Sequence, residues 1–319
     1  MAKSLKDVHA LLAKAQQKLD TVILGQSDTI KELLVAILCN SNAILESVPG
    51  LGKTTLVKNV ADIMQLKFSR IQSTPDLMPS DITGTLIVLE NQGKQVLQFQ
   101  KGPIFANVVL ADEINRATPK TQSAMLEAMQ ERQVTVAGTT YALEQPFFVL
   151  ATQNPIDQEG TYPLPEAQTD RFLLKVIIDY PSQKDENEIV NIYSKEAKSH
   201  PKLSPLLSAA DVLELQKVTC QIPISKDLQN QIVELVHKTR SHKKYIKMGA
   251  SPRASIGLVN AAKAHALLSG RNFASRADVI TMAKPVLRHR LMLTFTAEQE
   301  ERDVDSIIEE LAKATIKSN

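Results

Sequence analysis

The stretch Val48-Pro49-Gly50-Leu51-Gly52-Lys53-Thr54-Thr55 follows a short apolar run, residues 43–45, and precedes a segment with apolar residues at helical spacing. A strand, a glycine-bearing loop and a helix in this order are the setting of a phosphate-binding P-loop. The glycines let backbone N–H groups turn toward a phosphate, while the helix N-terminus and Lys53 add positive charge. The hydroxyl of Thr54 suits a magnesium ion. The stretch therefore predicts an α/β domain with a nucleotide site.

One position departs from the usual form of this loop. In the pattern G-x-x-x-x-G-K-[ST] the first glycine corresponds to residue 47, which is a serine here. A serine at Ser47 costs free energy if its φ angle must be positive. For the loop taken alone, a turn that merely caps a helix remains an alternative, so other parts of the chain have to decide.

Composition indicates a globular protein with two domains. The chain has 319 residues, of which 43% are hydrophobic and 23% charged. A net charge of +2, 4% aromatic residues and no tryptophan argue against a nucleic-acid partner. No apolar run approaches the roughly 18 residues of a membrane span, and the N-terminus lacks an apolar signal core. A cytoplasmic protein is therefore expected.

The order of apolar segments predicts a parallel sheet followed by helices. Five runs are predicted as strands, at residues 43–45, 68–72, 108–112, 147–151 and 173–178, and all except 68–72 are mainly apolar, as in strands covered on both faces. Beyond residue 183 the apolar spacing is helical throughout. We expect an α/β nucleotide-binding domain over residues 1–183, then a linker and a smaller all-helical lid domain over residues 184–319.

Two hairpins interrupt the α/β pattern. Residues 85–89 and 95–99 form strand-like runs around Asn91-Gln92-Gly93, within a segment of about 81–102 where a plain α/β unit would have only a crossover. A second pair of short runs flanks Gly138, within a segment of about 132–145. Both segments are expected to project from the sheet.

An apolar strand ending in Asp112 and Glu113 predicts the second part of the site. The carboxylate of Asp112 can hold a magnesium ion, directly or through water, and Glu113 can orient or deprotonate an attacking water. A solvated pair of acids at a strand end is the alternative. The P-loop earlier in the chain favours the nucleotide-hydrolysing interpretation.

Three further polar residues follow strands or begin helices. Asn154 ends another buried strand, where its amide could bind a γ-phosphate or the lytic water, although Asn-Pro is also a turn signal. Arg171 precedes the last strand. Arg253 begins a predicted helix, where the helix dipole makes an arginine costly unless an anion is bound. For both arginines, pairing with a surface carboxylate remains the alternative.

Together these segments resemble the MoxR family of AAA+ ATPases, in order and over nearly the whole chain. The combination is specific because five separate motifs match. The matching motifs are Pro49-Gly50-Leu51-Gly52-Lys53-Thr54, Asp112-Glu113-Ile114-Asn115-Arg116-Ala117, Ala151-Thr152-Gln153-Asn154-Pro155, Leu164-Pro165-Glu166-Ala167-Gln168-Thr169-Asp170-Arg171-Phe172 and Ser251-Pro252-Arg253-Ala254.

The resemblance implies a role for each site residue. Lys53 and Thr54 belong to the Walker A motif, which spans residues 48–55, and Asp112 and Glu113 to the Walker B motif. By the same resemblance Asn154 is sensor 1, Arg171 the arginine finger, Arg253 the sensor 2 that reports the nucleotide state to the lid, and Gly25 and Gln26 lie near the adenine. Arg116 is a second candidate for an arginine acting between subunits. The two hairpins correspond to the helix-2 insert and the pre-sensor-1 hairpin, which in this clade point toward a central pore.

The expected function is Mg-ATP hydrolysis at the subunit interfaces of a ring, expected to be a hexamer. ATP and Mg²⁺ are the implied cofactors. The family's work is chaperone-like, assembling or activating client protein complexes, often with a partner that carries a von Willebrand A domain. Two alternatives stay open, a nucleic-acid motor of the same clade and a nucleotide-gated scaffold with little hydrolysis.

Overall fold

The computed structural model describes residues 4–91, 94–154, 160–195 and 203–317. Within these ranges the strands are β1 (Ala43–Glu46), β2 (Phe68–Gln72), β3 (Gly84–Asn91), β4 (Lys94–Lys101), β5 (Val108–Asp112), β6 (Gln133–Val136), β7 (Thr139–Ala142), β8 (Phe148–Gln153), β9 (Leu174–Ile177), β10 (Ile246–Met248) and β11 (Met292–Leu293).

The helices surround these strands and make up most of the C-terminal part. They are α1 (Leu5–Asp20), α2 (Ser27–Leu38), α3 (Lys53–Ile63), α4 (Pro79–Thr83), α5 (Pro119–Glu131), α6 (Glu166–Thr169), α7 (Gln183–Lys195), α8 (Ala209–Gln221), α9 (Lys226–Ser241), α10 (Pro252–Leu268), α11 (Arg276–Leu287), α12 (Phe295–Gln299) and α13 (Val304–Thr315). Two 3₁₀ turns, Ile114–Arg116 and Arg288–Arg290, follow β5 and α11.

The central sheet contains the five predicted strands, all parallel, in the order β2-β5-β8-β1-β9. This confirms the α/β class predicted from the apolar runs. In the register of the sheet Glu46 pairs with Gln153, and Ala111 pairs with Ala151. The carboxyl ends of β5, β8 and β1 therefore lie side by side, and the residues that follow them converge on one edge of the sheet.

Both faces of the sheet are covered, as a parallel sheet requires. Along β1, Ala43 and Leu45 belong to one core cluster and Ile44 to the other. The first cluster runs without a break from α1 and α2 into the helices of the C-terminal part, where Leu258 and Leu287 are fully buried. The lid therefore packs directly against the helices of the nucleotide-binding domain.

Where the structure describes it, the C-terminal part is helical apart from one short ribbon. Ser251 caps α10 with Pro252 in the first turn, and Ser275 and Asp278 form the capping box of α11, as their spacing predicts. The ribbon pairs β10 with β11, Ile246 opposite Leu293. These strands are too short to show a period of two in the sequence. None of the helices in the described residues is long and apolar enough to cross a membrane.

Both predicted hairpins are present, and they touch each other. β3 pairs with β4 in antiparallel register, with Val88 opposite Leu97, while the turn residues 92–93 lie outside the described ranges. β6 and β7 are joined at Ala137 and Gly138, both with positive φ, as two-residue hairpin turns require. The ring of Phe99 on β4 stacks on that of Tyr141 on β7, so the two hairpins share a contact.

Candidate functional site

The P-loop forms an open cradle at the carboxyl end of β1. Gly50 and Gly52 have φ angles of +87° and +73°, and a Cβ added to either would have no atom within 4 Å. Within the described residues, none of the N–H groups from Gly50 to Thr54 donates a hydrogen bond to the protein. Lys53 Nζ donates to the carbonyl of Ser47 at 3.3 Å. Five unused N–H groups beside an ammonium and a helix N-terminus fit a polyphosphate.

Ser47 occupies the position of the first P-loop glycine without backbone strain. It is buried and does not have a positive φ angle. Its hydroxyl donates to the carbonyl of Val48 at 2.9 Å. The steric cost expected from the sequence arises only where φ is positive. The serine therefore does not distort the loop.

Asp112 is a buried carboxylate with both oxygens engaged. Oδ1 accepts from the hydroxyl of Thr152 at 2.6 Å, and Oδ2 accepts from Arg70 Nη2 at 2.5 Å and from Arg70 Nε at 3.1 Å. The hydroxyl of Thr54 and the carboxylate of Asp112 are oxygen donors of the kind Mg²⁺ prefers. The described residues contain no cluster of three or more carboxylate, histidine or cysteine ligands. Two protein oxygens would leave most positions of an octahedral Mg²⁺ ion to water and to phosphate oxygens.

Glu113 has a left-handed backbone conformation, with φ +54° and ψ +49°. Its N–H donates to Thr152 Oγ1 at 2.8 Å, and its carboxylate accepts from Gln72 Nε2 at 3.0 Å and from Arg116 Nη1 at 3.2 Å. This conformation costs about 1–3 kcal/mol for a residue with a Cβ, and such strain is concentrated at functional sites. The Thr152 hydroxyl, which touches both acids, fixes their relative position.

Asn154 lies one residue beyond β8, between the ends of β1 and β5, and is 7% exposed. The structure thus brings Lys53, Asp112, Glu113 and Asn154 to the same edge of the sheet. Pro155, which completes the predicted motif, lies outside the described residues.

Sequence reasoning missed Arg70, Gln72 and Thr152. Arg70 and Gln72 alternate on β2, which pairs with β5, so both side chains reach the acids at its end. The available signal was the polar character of β2, in which Ser69, Arg70 and Gln72 are three of the five residues. It becomes informative only when the order of the strands is known.

Gly25 and Gln26 line a cavity of about 640 Å³ beside the P-loop. Gln26 Nε2 donates to the carbonyl of Leu51 at 3.5 Å, so a residue that lines the cavity also contacts the P-loop. A Cβ on Gly25 would lie 2.8 Å from Asp185 Oδ2, and its φ is +72°, so glycine is required there. Ile177 and Tyr180 supply exposed apolar surface, which suits a nucleobase.

Two acidic side chains that line the same cavity have raised pKa values. Burial raises the pKa of Glu32 to about 7; Arg288 opposes this rise, and Asp28 and Asp305 add to it. Burial also raises the pKa of Asp20, against a hydrogen bond from Ser27. Carboxyl groups that line a cavity can accept hydrogen bonds from an amine of a bound ligand.

Arg171 lies at the opposite end of the sheet from Lys53. It precedes β9, and two residues further on the N–H of Leu173 donates to the carbonyl of Asn42, which precedes β1. β1 has four residues, which corresponds to about 13 Å of strand between this end and the P-loop. Among the described residues, Nε of Arg171 is buried and has no hydrogen-bond partner.

Arg253 lies beside Arg171, not beside Lys53. Its Nη1 is 3.7 Å from Oδ2 of Asp170, the residue before Arg171, and both arginines line a cavity of about 160 Å³ together with Ser41. Arg116, the other candidate for an arginine acting between subunits, is paired with Glu113 of its own chain. The structure therefore separates two sets of residues: one at the carboxyl edge of the sheet, and Arg171 with Arg253 at the amino edge.

Known proteins match this chain over nearly its full length. The ATPase family associated with various cellular activities (AAA) matches residues 42–174, and the AAA lid domain matches residues 238–311. The chain is 45% identical to the uncharacterized protein YeaC of Bacillus subtilis, over 97% of this chain and 95% of that protein. It is 42% identical to the chaperone MoxR1 of Mycobacterium tuberculosis, over 95% of this chain and 81% of that protein.

Solved structures agree with these matches. A crystal structure of a candidate ATPase from Cytophaga hutchinsonii superposes with a TM-score of 0.89 at 41% identity, covering 98% of this chain and 96% of that one. At more than 40% identity over nearly the full length, both domains and their order are shared. The chain belongs to the MoxR family of AAA+ ATPases.

Proposed function

We propose that this protein hydrolyses Mg-ATP at the interfaces between subunits of a ring and uses the cycle to remodel, assemble or activate client protein complexes. The observation that carries the proposal is the separation of Lys53 from Arg171 by the length of the sheet. An arginine at the amino edge cannot reach its own P-loop, but it can reach that of a neighbour. A closed ring, expected to be a hexamer, completes every site.

The chain's residues divide the work between binding and chemistry. The N–H groups of residues 50–54 and the ammonium of Lys53 bind the phosphates, and Gly25 and Gln26 border the base. Thr54 and Asp112 would hold Mg²⁺, which supplies charge neutralisation on the phosphates. The carboxylate of Glu113 takes the proton of the attacking water, and the Asn154 amide orients that water.

The arginines act across the interface. Arg171 of one subunit stabilises the charge on the transferring phosphoryl group of the next, a role worth roughly 10³–10⁵ in rate where such arginines have been removed. The position of Arg253 beside Asp170 supports a contact with the same neighbouring nucleotide. Arg116, paired with Glu113, belongs to its own subunit's site.

The hairpins support a protein client. Val88 and Leu97 pair near the tip of the β3–β4 hairpin and are 59% and 65% exposed, and Leu89 and Val96 beside them are 41% and 49% exposed. Apolar side chains exposed on a projecting hairpin suit an apolar polypeptide segment rather than a phosphate backbone. Membership of the family adds the expectation of a partner with a von Willebrand A domain and of a cytoplasmic setting.

Phosphate release across a range of protein concentrations tests hydrolysis and assembly together. Turnover per chain is expected to rise with concentration, because dilution separates Arg171 from the neighbouring site. Glu113→Gln is expected to bind an ATP analogue with unchanged affinity and to lose at least about 100-fold in turnover, the usual contribution of a general base. Turnover in this variant close to that of the wild-type protein would contradict the assignment of Glu113.

A mixing experiment tests the arginine across the interface. Arg171→Ala and Glu113→Gln are each inactive alone, but a mixed ring contains interfaces with an intact Glu113 facing an intact Arg171. Turnover is expected to return in the mixture. Absence of rescue at every mixing ratio would contradict a trans role for Arg171.

A further inference from the structure

We propose that Arg290 of the lid is a positioning residue for the trans arginine Arg171, acting through Asp170 and the main chain of Phe172 and Leu173. The inference rests on the proposed function, in which Arg171 serves the nucleotide of a neighbouring subunit. It adds that the lid sets the geometry of this arginine.

Arg290 is a buried arginine whose guanidinium binds residues 170–173, here called the finger segment. Its side chain is 3% exposed. Nε donates to Asp170 Oδ1 at 2.8 Å, Nη1 donates to the carbonyl of Leu173 at 3.0 Å, and Nη2 donates to the carbonyl of Phe172 at 2.5 Å. A second bond from Nη1 returns to the carbonyl of Val286 at the end of α11. One planar group therefore joins α11 to three positions that flank Arg171, namely residues 170, 172 and 173.

These contacts fix both chain neighbours of Arg171. Asp170 is held by its carboxylate, and Phe172 by its carbonyl and by a ring that is fully buried in the core. Arg171 between them has a buried Nε with no partner in the described parts of the chain. A fixed backbone that holds one arginine with an unpaired Nε fits the pre-organisation that an electrostatic catalyst requires.

Asp170 also connects Arg290 to the second arginine of this edge. Its other oxygen, Oδ2, accepts from the hydroxyl of Ser251 at 2.9 Å and lies 3.7 Å from Arg253 Nη1. Ser251 is the N-cap of α10, so a single carboxylate of the nucleotide-binding domain receives groups from two lid elements. A shift of the lid therefore moves Arg171 and Arg253 together.

The burial of the ion pair between Arg290 and Asp170 argues for a role in orientation. Burial lowers the pKa of Arg290, while the hydrogen bond and the charge of Asp170 raise it. A buried ion pair is weak as a source of stability, because the desolvation of both charges offsets their attraction. Its main effect is orientation, since a guanidinium with fixed donors specifies the position of each acceptor.

The adjoining residue Arg288 supplies a matched control. It belongs to the same 3₁₀ turn and also joins the lid to the nucleotide-binding domain, by a bond from Nη1 to the carbonyl of Lys175 at 3.0 Å. Its remaining donors go to Asp305. Lys175 lies in β9, beyond the finger segment, so Arg288→Lys weakens the same domain contact without touching Asp170 or Phe172.

The test compares Arg290→Lys, Asp170→Asn and Arg288→Lys, each alone and mixed with Glu113→Gln. Arg290→Lys keeps the positive charge but loses the planar guanidinium, and Asp170→Asn keeps the side-chain shape but loses the negative charge, so each variant removes one property of the pair and keeps the other. Both are expected to lose roughly 10- to 100-fold in turnover, the effect of a displacement of about 1 Å. Binding of a fluorescent ATP analogue to their own P-loops should stay within about twofold of wild type, because these variants leave residues 50–54 intact.

Mixing with Glu113→Gln is expected to restore turnover to both variants, as is expected for Arg171→Ala, while Arg288→Lys is expected to retain turnover throughout. Wild-type turnover in both variants would overturn the inference. So would rescue of Arg171→Ala without rescue of the two variants, or an equal loss in Arg288→Lys, since each indicates a general structural role. Failure to rescue Arg171→Ala would instead overturn the trans assignment, and this inference with it.

Discussion

Arg70 Nη2 lies 2.5 Å from Oδ2 of Asp112, the carboxylate proposed to hold Mg²⁺. The pair joins two neighbouring strands at the edge where the phosphates would lie, and the Arg70 side chain is 47% exposed. A cation that approaches Asp112 has to displace this guanidinium or share the carboxylate with it.

Arg70→Gln is therefore expected to lower the Mg²⁺ concentration needed for binding of an ATP analogue. A half-exposed ion pair is worth up to about 1 kcal/mol, which corresponds to a shift of about two- to fivefold. The measurement is a Mg²⁺ titration of analogue fluorescence in the Glu113→Gln background, which prevents turnover. Arg302→Gln, which removes an arginine paired with Glu310 in the lid, is the control. Equal Mg²⁺ requirements in the two variants would show that Arg70 does not compete.

Restoring the glycine of the P-loop pattern is expected to bring no gain in affinity. Ser47 does not have a positive φ, and its hydroxyl bonds to Val48. Ser47→Gly should leave the dissociation constant of an ATP analogue within about twofold, and lower the free energy of unfolding by about 0.5–1 kcal/mol through added backbone freedom. Calorimetry and urea denaturation measure the two quantities. A tenfold tighter complex would reveal strain at this position.

The stacked rings of Phe99 and Tyr141 are expected to couple the two hairpins. Their centroids are 4.1 Å apart at an interplanar angle of 21°. A double-mutant cycle with Phe99→Leu and Tyr141→Leu should give a coupling free energy of about 0.5–1.5 kcal/mol in urea denaturation. Phe99→Leu combined with Tyr245→Leu, in the lid, should be additive. Additivity in both cycles would mean that the hairpins are independent.

The raised pKa of Glu32 predicts that the free energy of unfolding falls as pH rises toward neutrality. Its pKa is raised by burial to about 7, above its ordinary value of 4.5, so the folded state holds this proton more tightly than the unfolded state. Ionisation between these values costs the folded state about 1–3 kcal/mol. Glu32→Gln should therefore be more stable than wild type at pH 8, with little difference at pH 4.5. A stability difference that is the same at both pH values would contradict this account.

The lowered pKa of Asp278 predicts the opposite pH dependence of the free energy of unfolding. It is fully buried; burial alone would raise its pKa, but hydrogen bonds from His265, Arg271 and Ser275 outweigh that effect and hold the pKa below its ordinary value. Its contribution to stability is present above about pH 4 and is lost as pH falls toward its folded pKa.

Asp278→Asn is expected to cost about 3–5 kcal/mol at pH 7, because it leaves a partly buried Arg271 without its charge partner. The difference from wild type should shrink below pH 4 in urea denaturation. Asp227→Asn, whose half-exposed carboxylate pairs with Arg276 at 3.5 Å, is the control and should cost less than about 1 kcal/mol. Equal costs for the two variants would show that burial of Asp278 does not matter.

The sheet could be predicted because its strands other than β2 are mainly apolar on both faces, and residues 108–112 are the clearest case. Once the strands are parallel, the convergence of Lys53, Asp112 and Asn154 follows from their positions at the carboxyl ends. The contacts of Arg70 and Gln72 could not be predicted, since they depend on which strand lies beside β5. The place of Arg253 depends on the packing of the lid against residues far away in the chain. The preference of a helix N-terminus for phosphate does not indicate whether that phosphate belongs to the nucleotide of the same subunit or of a neighbouring one.

The opposite placement of Lys53 and Arg171 gives the protomer a head and a tail. Such a contact is heterologous, and a twofold dimer cannot satisfy it on both sides. Under the proposed roles, two chains joined in this way complete one site and leave the other without its trans arginine. An open arc of any length likewise has one incomplete site at its end. The specific activity of any preparation would then report how many of its assemblies are closed, independently of how much nucleotide they bind.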